Sequence, residues 1–221
     1  MRCIAHRGFA ETYPENTVAA VRAARNHTGV VEIDVRRCGS GDLVVAHDER
    51  VDRITDASGK VADFTLADLE SLDVLESGEG IPSLATVFES IPDVEYVLDI
   101  KESGVAAETL DLVDDYGVSA TVSAFDVDIL ESVADAGDVP LAYLVEAGAA
   151  RTGLETASAL GCAALHAHWT ACVDELVAEA HELGLDVNAW TVPSRRDANA
   201  LEHVGIDGVI VDRPEVVFDR D

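Results

Sequence analysis

Two acidic residues two apart, Glu32 and Asp34, lie inside an apolar run, VVEIDVR at 30–36. At that spacing their side chains leave the same face of a β-strand. On an enclosed face, two carboxylates are costly unless a cation or protons neutralise them. A second run, EYVLDIK at 95–101, carries Asp99 and Lys101 at the same spacing. Three carboxylates converging from neighbouring strands would make an all-oxygen site, and hard divalent cations, Mg²⁺ or Ca²⁺, prefer such ligands. Two histidines end other apolar runs. RCIAH at 2–6 stops at His6, ahead of Arg7 and Gly8, and LVVAHD at 43–48 delivers His47 and Asp48. Imidazoles move protons near neutral pH. Arginine offers a planar fork of N–H donors to oxyanions. Alone, EIDV would read as an ordinary half-exposed strand, and each histidine as an ordinary polar residue. Together they point to a functional site beside a metal ion. His166 and His168 lack such company and are expected to be structural.

The elements that must position these residues alternate along the chain. Strand-like runs occupy 2–6, 30–36, 95–101, 120–125, 140–146, 163–168, 186–192 and 207–212, with helical patterns between most of them. NTVAAVRAARNH places Val18, Val21 and Ala24 at helical spacing, and DVDILESVADAG opens on an aspartate cap and closes on Gly137. Strands alternating with helices predict a parallel sheet, and eight of them in this length predict an α/β fold of the (β/α)8 TIM-barrel type. In such barrels functional groups collect at the carboxyl ends of the strands, where His6, Arg7, Glu32, Asp34, Asp99 and Lys101 fall. After the second strand, a short extra strand at 43–47 and two short helical patterns interrupt the rhythm. The span 49–94 is expected to be a small lid-like insertion, and 1–221 a single domain.

Composition narrows the partners. Asp and Glu number 43 against 15 Lys and Arg, for a formal net charge of −28, and Lys60 and Lys101 are the only lysines. Such a field repels nucleic acid and anionic membranes. The acids are scattered rather than blocked, as on a solvated surface, and suit a halophile's cytoplasm, where salt mutes self-repulsion. No apolar run is long enough to span a bilayer, and MRCIAHRG has no secretory apolar region, so a cytoplasmic location without stable membrane association is expected. Cys3, Cys38, Cys162 and Cys172 have no zinc-like spacing and are expected to be reduced thiols in or near the core.

The pieces AHRG (5–8), PENT (14–17), EIDV (32–35), LVVAHD (43–48), IPSL (81–84), LDIK (98–101), AWTV (189–192) and DGVIVDRP (207–214) follow one another over nearly the whole chain. In that order they resemble the glycerophosphodiester phosphodiesterase family. The resemblance implies a TIM barrel and metal-dependent hydrolysis of a small glycerophosphodiester to glycerol phosphate and an alcohol. It implies an acid–base pair in His6 and His47 and a phosphate ligand in Arg7. Glu32 and Asp34 would be metal ligands, with Asp99 as the third where the family usually has glutamate. Glu15 and Asn16 of PENT would support the site, Lys101 would add catalytic positive charge, and Phe125 and Trp190 would line the glycerol pocket. Asp207 and Asp212 are expected to order the last loop rather than bind metal.

Three rival readings remain at this point. The same site could act on lysophospholipids, which would need an apolar channel. An isomerase or aldolase on the same barrel could use Lys101 as a Schiff base, since fold does not fix chemistry. A non-catalytic barrel could bind a phosphate ester without turning it over.

Overall fold

In the computed structural model, which describes residues 1–218, the strand-like runs close on themselves. Eight parallel strands form the barrel: β1 (Arg2–His6), β2 (Val30–Arg37), β4 (Glu95–Ile100), β5 (Ser119–Ala124), β6 (Leu141–Val145), β7 (Ala164–His168), β8 (Asp186–Trp190) and β9 (Gly208–Val211). Closure comes from β1, which pairs with β9 on one side and β2 on the other. The short β3 (Leu43–Val45) stands outside the ring, antiparallel to the carboxyl end of β2, with Val35 opposite Val45 and Arg37 opposite Leu43. This hairpin returns the chain to the barrel mouth and sets His47 there.

The strands are buried on both faces, as a parallel sheet covered by helices requires. β2 shows this most clearly, with Val30 to Val35 all buried. Its outward residues Val31, Ile33 and Val35 join the main core under the helices. Its inward Val30 meets Ile4, Val97 and Ile210 to fill the lower barrel. Above that apolar plug the inward positions turn polar, at Glu32 and Asp34 on β2 and Asp99 on β4.

The covering helices are α1 (Val18–Ala24), α3 (Leu84–Ser90), α4 (Ala106–Tyr116), α5 (Val127–Ala136), α6 (Ala150–Ala159), α7 (Asp174–Glu182) and α8 (Arg195–Val204). Several start where a side chain satisfies free backbone N–H groups. Thr17 accepts from Ala20 N on α1, Ser83 from Thr86 N on α3, and Asp126 from Asp128 N on α5. The helical pattern at 64–75 shortens to α2 (Leu66–Glu70), capped by Thr65.

The span expected as an insertion divides in two. Leu84, Val87 and Phe88 of α3 belong to the main core, so that helix is part of the barrel's outer layer. The residues before it, with β3, gather a small core of their own around Val44, Val51, Ile54, Val61, Leu69 and Ile81. All four cysteines are free and buried, as expected. Among the described residues, no helix is long and apolar enough to cross a membrane.

Candidate active site

The loop leaving β1 is the most contorted backbone of the mouth. Arg7, Gly8 and Phe9 all have positive φ, at 50°, 77° and 69°. For the two non-glycine residues that conformation is costly and persists only where surrounding contacts impose it. Here Arg7 N donates to Glu32 Oε2 at 2.9 Å. Gly8 has a different task from close approach to a ligand: a Cβ at this position would lie 2.7 Å from Ala20 Cβ, so the glycine lets the loop pack on α1.

Glu32, Asp34 and Asp99 converge as their spacing predicted. Each is buried, and each offers an oxygen within 4.8 Å of the others. Adjacent strands hold Asp34 and Asp99 in direct register. Around them stand the counter-charges. Lys101 Nζ lies 2.8 Å from Asp34 Oδ1 and also bonds Asp99 Oδ2. Arg7 Nε lies 3.2 Å from Asp34 Oδ2, and Asn16 Nδ2 donates to the same oxygen at 2.7 Å. The result is uneven. Burial opposes ionisation of Asp34, but Lys101 and Arg7 override it and hold this carboxyl well below the usual range. Glu32 is pushed up to about 7 by burial and by the charge of Asp34. Asp99 rises to about 6, chiefly through burial, despite Lys101. Two cations do not neutralise the cluster, and Asp99 Oδ1 is buried with no hydrogen-bond partner. An unpaired buried carboxylate oxygen beside two others fits the donor set of a hard divalent cation.

The two histidines flank this cluster and are oriented alike. His6 Nδ1 is 2.6 Å from Asp212 Oδ1, and His47 Nδ1 is 2.6 Å from Asp48 Oδ1. Each carboxylate fixes a ring through one nitrogen and leaves Nε2 for the cavity. Burial disfavours the charged form of His6, yet its bond to Asp212 and the charge of Glu32 outweigh it, and its pKa rises. For His47 burial prevails over Asp34 and Asp48, and the pKa falls. Asp212 thus does more than order a loop, whereas Asp207 does order one, accepting from Val187 N at 2.7 Å.

Glu15 lies between two arginines. Arg7 Nη1 reaches it at 3.0 Å, and Arg53 binds both its oxygens at 2.6 and 2.8 Å while also donating to Asp48 at 2.6 Å. No sequence pattern points to Arg53, because nothing local links it to PENT.

A cavity of about 120 Å³ opens among these groups. His6, Arg7, Glu32, His47, Asp99 and Lys101 line one side. Ser123, Phe125, His166 and Trp190 line another part of its wall, with Ser123 next to Asp99 across adjacent strands. Phe125 meets Trp190 edge to face at 5.4 Å, and Trp190 Nε1 donates to the His166 carbonyl at 2.9 Å. His168 instead packs its ring against Trp190 and bonds Thr170. His166, expected to be structural, faces the cavity.

A TIM barrel with acid, imidazole and guanidinium groups gathered at the carboxyl ends of its strands defines an enzyme of the barrel class. Comparison with known proteins narrows this. Residues 6–216 match the model of the glycerophosphoryl diester phosphodiesterase family, and the chain belongs to that family. A glycerophosphodiester phosphodiesterase of Caldanaerobacter subterraneus is 32% identical over 97% of this chain and 95% of its own. Among solved structures, an Oleispira antarctica phosphodiesterase in complex with the product sn-glycerol-3-phosphate superposes with a TM-score of 0.89 at 28% identity, covering 97% of this chain and 94% of that one. A glycerophosphodiester phosphodiesterase of Thermotoga maritima gives 0.83 at 27% identity, with 97% and 95% covered.

Proposed function

We propose that this chain hydrolyses glycerophosphodiesters to glycerol phosphate and an alcohol, with His6 and His47 as the acid–base pair and one divalent cation, Mg²⁺ or Ca²⁺, held by Glu32, Asp34 and Asp99. The observation that carries this reading is the pairing of two carboxylate-oriented imidazoles across a buried carboxylate trio in one cavity. When bound, the cation supplies Lewis-acid stabilisation of a phosphoryl oxygen.

The chain's own residues supply the rest. Arg7, held at one end by Glu15 and Asp34, presents its remaining N–H groups to phosphate. Lys101 adds positive charge at the same mouth, while bonded to Asp34 and Asp99. One histidine takes the proton of the attacking hydroxyl, and the other gives a proton to the departing alkoxide. The opposite pulls on their pKa values fit such a division of labour. The attacking hydroxyl is either the neighbouring one of the glycerol, giving a cyclic ester that water opens, or water itself. Phe125 and Trp190 enclose the glycerol carbons. Asn16 and Glu15 brace Asp34 and Arg7. The segment from 49 to the start of α3 acts as a lid within a single-domain chain, tied down by Arg53. The acidic surface suits a salt-rich cytoplasm and a small soluble substrate.

The test is release of glycerol phosphate from glycerophosphocholine and glycerophosphoethanolamine at high salt, with and without EDTA, alongside lysophosphatidylcholine. Turnover of the glycerophosphodiesters that EDTA abolishes supports the reading. Turnover untouched by EDTA, or confined to the lysophospholipid, overturns it.

A further inference from the structure

The cavity has a second polar face that the acid–base machinery does not use. Ser123 on β5 and His166 on β7 both point inward from the barrel wall, and each is only 1% exposed. Ser123 Oγ and His166 Nδ1 have no hydrogen-bond partner within the protein. Buried polar atoms are almost always paired, and an unpaired one costs on the order of 1–3 kcal/mol. Both residues belong to the wall of one cavity, and among the described residues neither atom finds a partner.

The His166 ring is held in one orientation. Its Nε2 lies 3.1 Å from Asn188 Nδ2. An amide NH₂ group only donates, so Nε2 accepts and the neutral ring carries its proton on Nδ1. Burial holds the imidazole neutral, pushing its pKa down to about 4. Asn188 has its place because the next strand makes room. Residue 208 is glycine, and a Cβ there would sit 2.2 Å from Asn188 Oδ1. His166, Asn188 and Gly208 are in register across β7, β8 and β9. Three strands therefore combine to fix the ring and leave one N–H unpaired in the cavity wall.

The chemistry of this face excludes most occupants. A protonated Nδ1 has no lone pair for a metal ion. A neutral imidazole and a hydroxyl bring no positive charge of their own to hold an anion. One fixed donor with one hydroxyl that both donates and accepts complements another hydroxyl. Ser123 is in register with Asp99, so this face adjoins the carboxylate trio. Phe125 and Trp190 supply an apolar wall suited to carbon.

We propose that Ser123 and His166 form a hydroxyl-recognition subsite that takes the non-reacting terminal hydroxymethyl group of the substrate's glycerol, and so select glycerol over deoxygenated analogues. This rests on the phosphodiesterase reading above. Asn188 and Gly208 are positioning residues that set the tautomer of His166.

The experiment compares two diesters with the same leaving group. One is glycerol 3-(4-nitrophenyl phosphate). The other is 2-hydroxypropyl 4-nitrophenyl phosphate, which keeps the vicinal hydroxyl and lacks the terminal one. Wild type should favour the glycerol diester by about 10²-fold or more in kcat/KM, since a site built to bond a hydroxyl leaves buried groups unpaired with the analogue. Ser123→Ala and His166→Gln should each shrink that ratio by about tenfold or more. Ser123→Thr, which keeps the hydroxyl, should restore part of it, a result a merely structural role would not give. Ser123→Ala removes one oxygen without adding bulk, so the test survives if the histidine variant fails to fold. An unchanged ratio in Ser123→Ala, or equal use of both diesters by wild type, would mean that the two groups hold only water, and would overturn the subsite while leaving the phosphodiesterase reading intact. Cleavage of neither diester would overturn both.

Discussion

His6 Nδ1 lies 2.6 Å from Asp212 Oδ1, a bond that joins the end of the first barrel strand to the loop after the last. Because β1 and β9 are neighbours in the closed barrel, residues 206 positions apart become direct partners. His47 and Asp48 repeat the arrangement at 2.6 Å from adjacent positions in the chain. Each carboxylate selects the tautomer with the proton on Nδ1 and leaves Nε2 as the unprotonated nitrogen.

His6→Ala and His47→Ala are each expected to lower kcat by roughly 10²–10⁴-fold. Asp212→Asn should lower it as well, by about 10-fold or more, because an amide can donate to Nδ1 and favour the opposite tautomer. Asp212→Glu should recover part of the loss. Steady-state rates with glycerophosphocholine decide this, and full kcat in both alanine variants would remove the imidazoles from the mechanism.

The carboxylate trio makes a separate prediction about cation binding. Glu32 and Asp99 are held near 7 and 6 in the metal-free protein, so a divalent ion relieves a charge that burial otherwise resists. Mg²⁺ or Ca²⁺ should raise Tm, by RT ln(1 + [L]/Kd) in free energy, about 2.7 kcal/mol at a hundredfold excess over Kd. Glu32→Gln and Asp99→Asn should reduce that shift. A Tm insensitive to either ion, measured after EDTA treatment, would argue against a cation at this site.

Much of this site is legible in the sequence because it is written in short, ordered pieces. EIDV and LDIK alternate with a period of two, so their carboxylates have to share a face, and the strand–helix rhythm puts that face inside a barrel. What stays hidden depends on contacts that no local pattern encodes. Arg53 reaches Glu15 across 38 positions, and Asp212 reaches His6 across 206. His166 reads as structural because a lone histidine in an apolar strand gives no hint of its neighbours. The clue is its alignment with Asn188 and Gly208, which only strand register reveals. Helix α3 is hard to separate from the insertion by pattern because both show short amphipathic stretches, and only packing assigns it to the barrel.

Arg53 offers a way to test the hold of the insertion on the mouth. Its guanidinium bridges Glu15 and Asp48, and Glu15 in turn grips Arg7. Arg53→Ala should leave Arg7 less firmly placed for phosphate, raising KM several-fold with a smaller effect on kcat. Amide exchange in residues 49–80 should quicken in the same variant. Unchanged KM and unchanged exchange would show that the bridge is a passive surface contact.

His166 makes stability depend on pH with a definite sign. Folded, burial holds its pKa down to about 4, against 6.5 for the free imidazole. Below 6.5 the unfolded chain takes up a proton that the folded chain refuses, so acid favours unfolding. The stabilising contribution is fully present above about pH 6.5 and is lost as pH falls through about 4. Relative to His166→Gln, which cannot titrate, wild type should lose on the order of 2 kcal/mol between pH 7 and about pH 4.5. Urea unfolding of both proteins at the two pH values measures the difference. A gap that stays constant would mean that the folded ring takes up its proton as readily as the unfolded one.

The acidic surface leads to the broadest prediction. With 43 acidic and 15 basic side chains, most surface carboxylates lack a basic partner, and the field disfavours the compact state. Added salt weakens two things at once, the few exposed ion pairs such as Arg151 with Glu179 and the far more numerous repulsions. Repulsion outweighs attraction here because the charge is so unbalanced. Helix α4 shows it locally: Asp111 and Asp115 sit four apart, both exposed, where like charges oppose the helix. Raising KCl shortens the screening length from about 10 Å at 0.1 M to about 3 Å at 1 M, so Tm should climb over that range. Asp115→Lys converts the local repulsion to an i,i+4 attraction, worth about a few tenths of a kcal/mol. It should raise Tm at low salt and flatten the dependence on KCl. A wild-type Tm that falls or stays level as KCl rises would mean that the ion pairs prevail over the repulsion, and that the surface owes nothing to a salty environment.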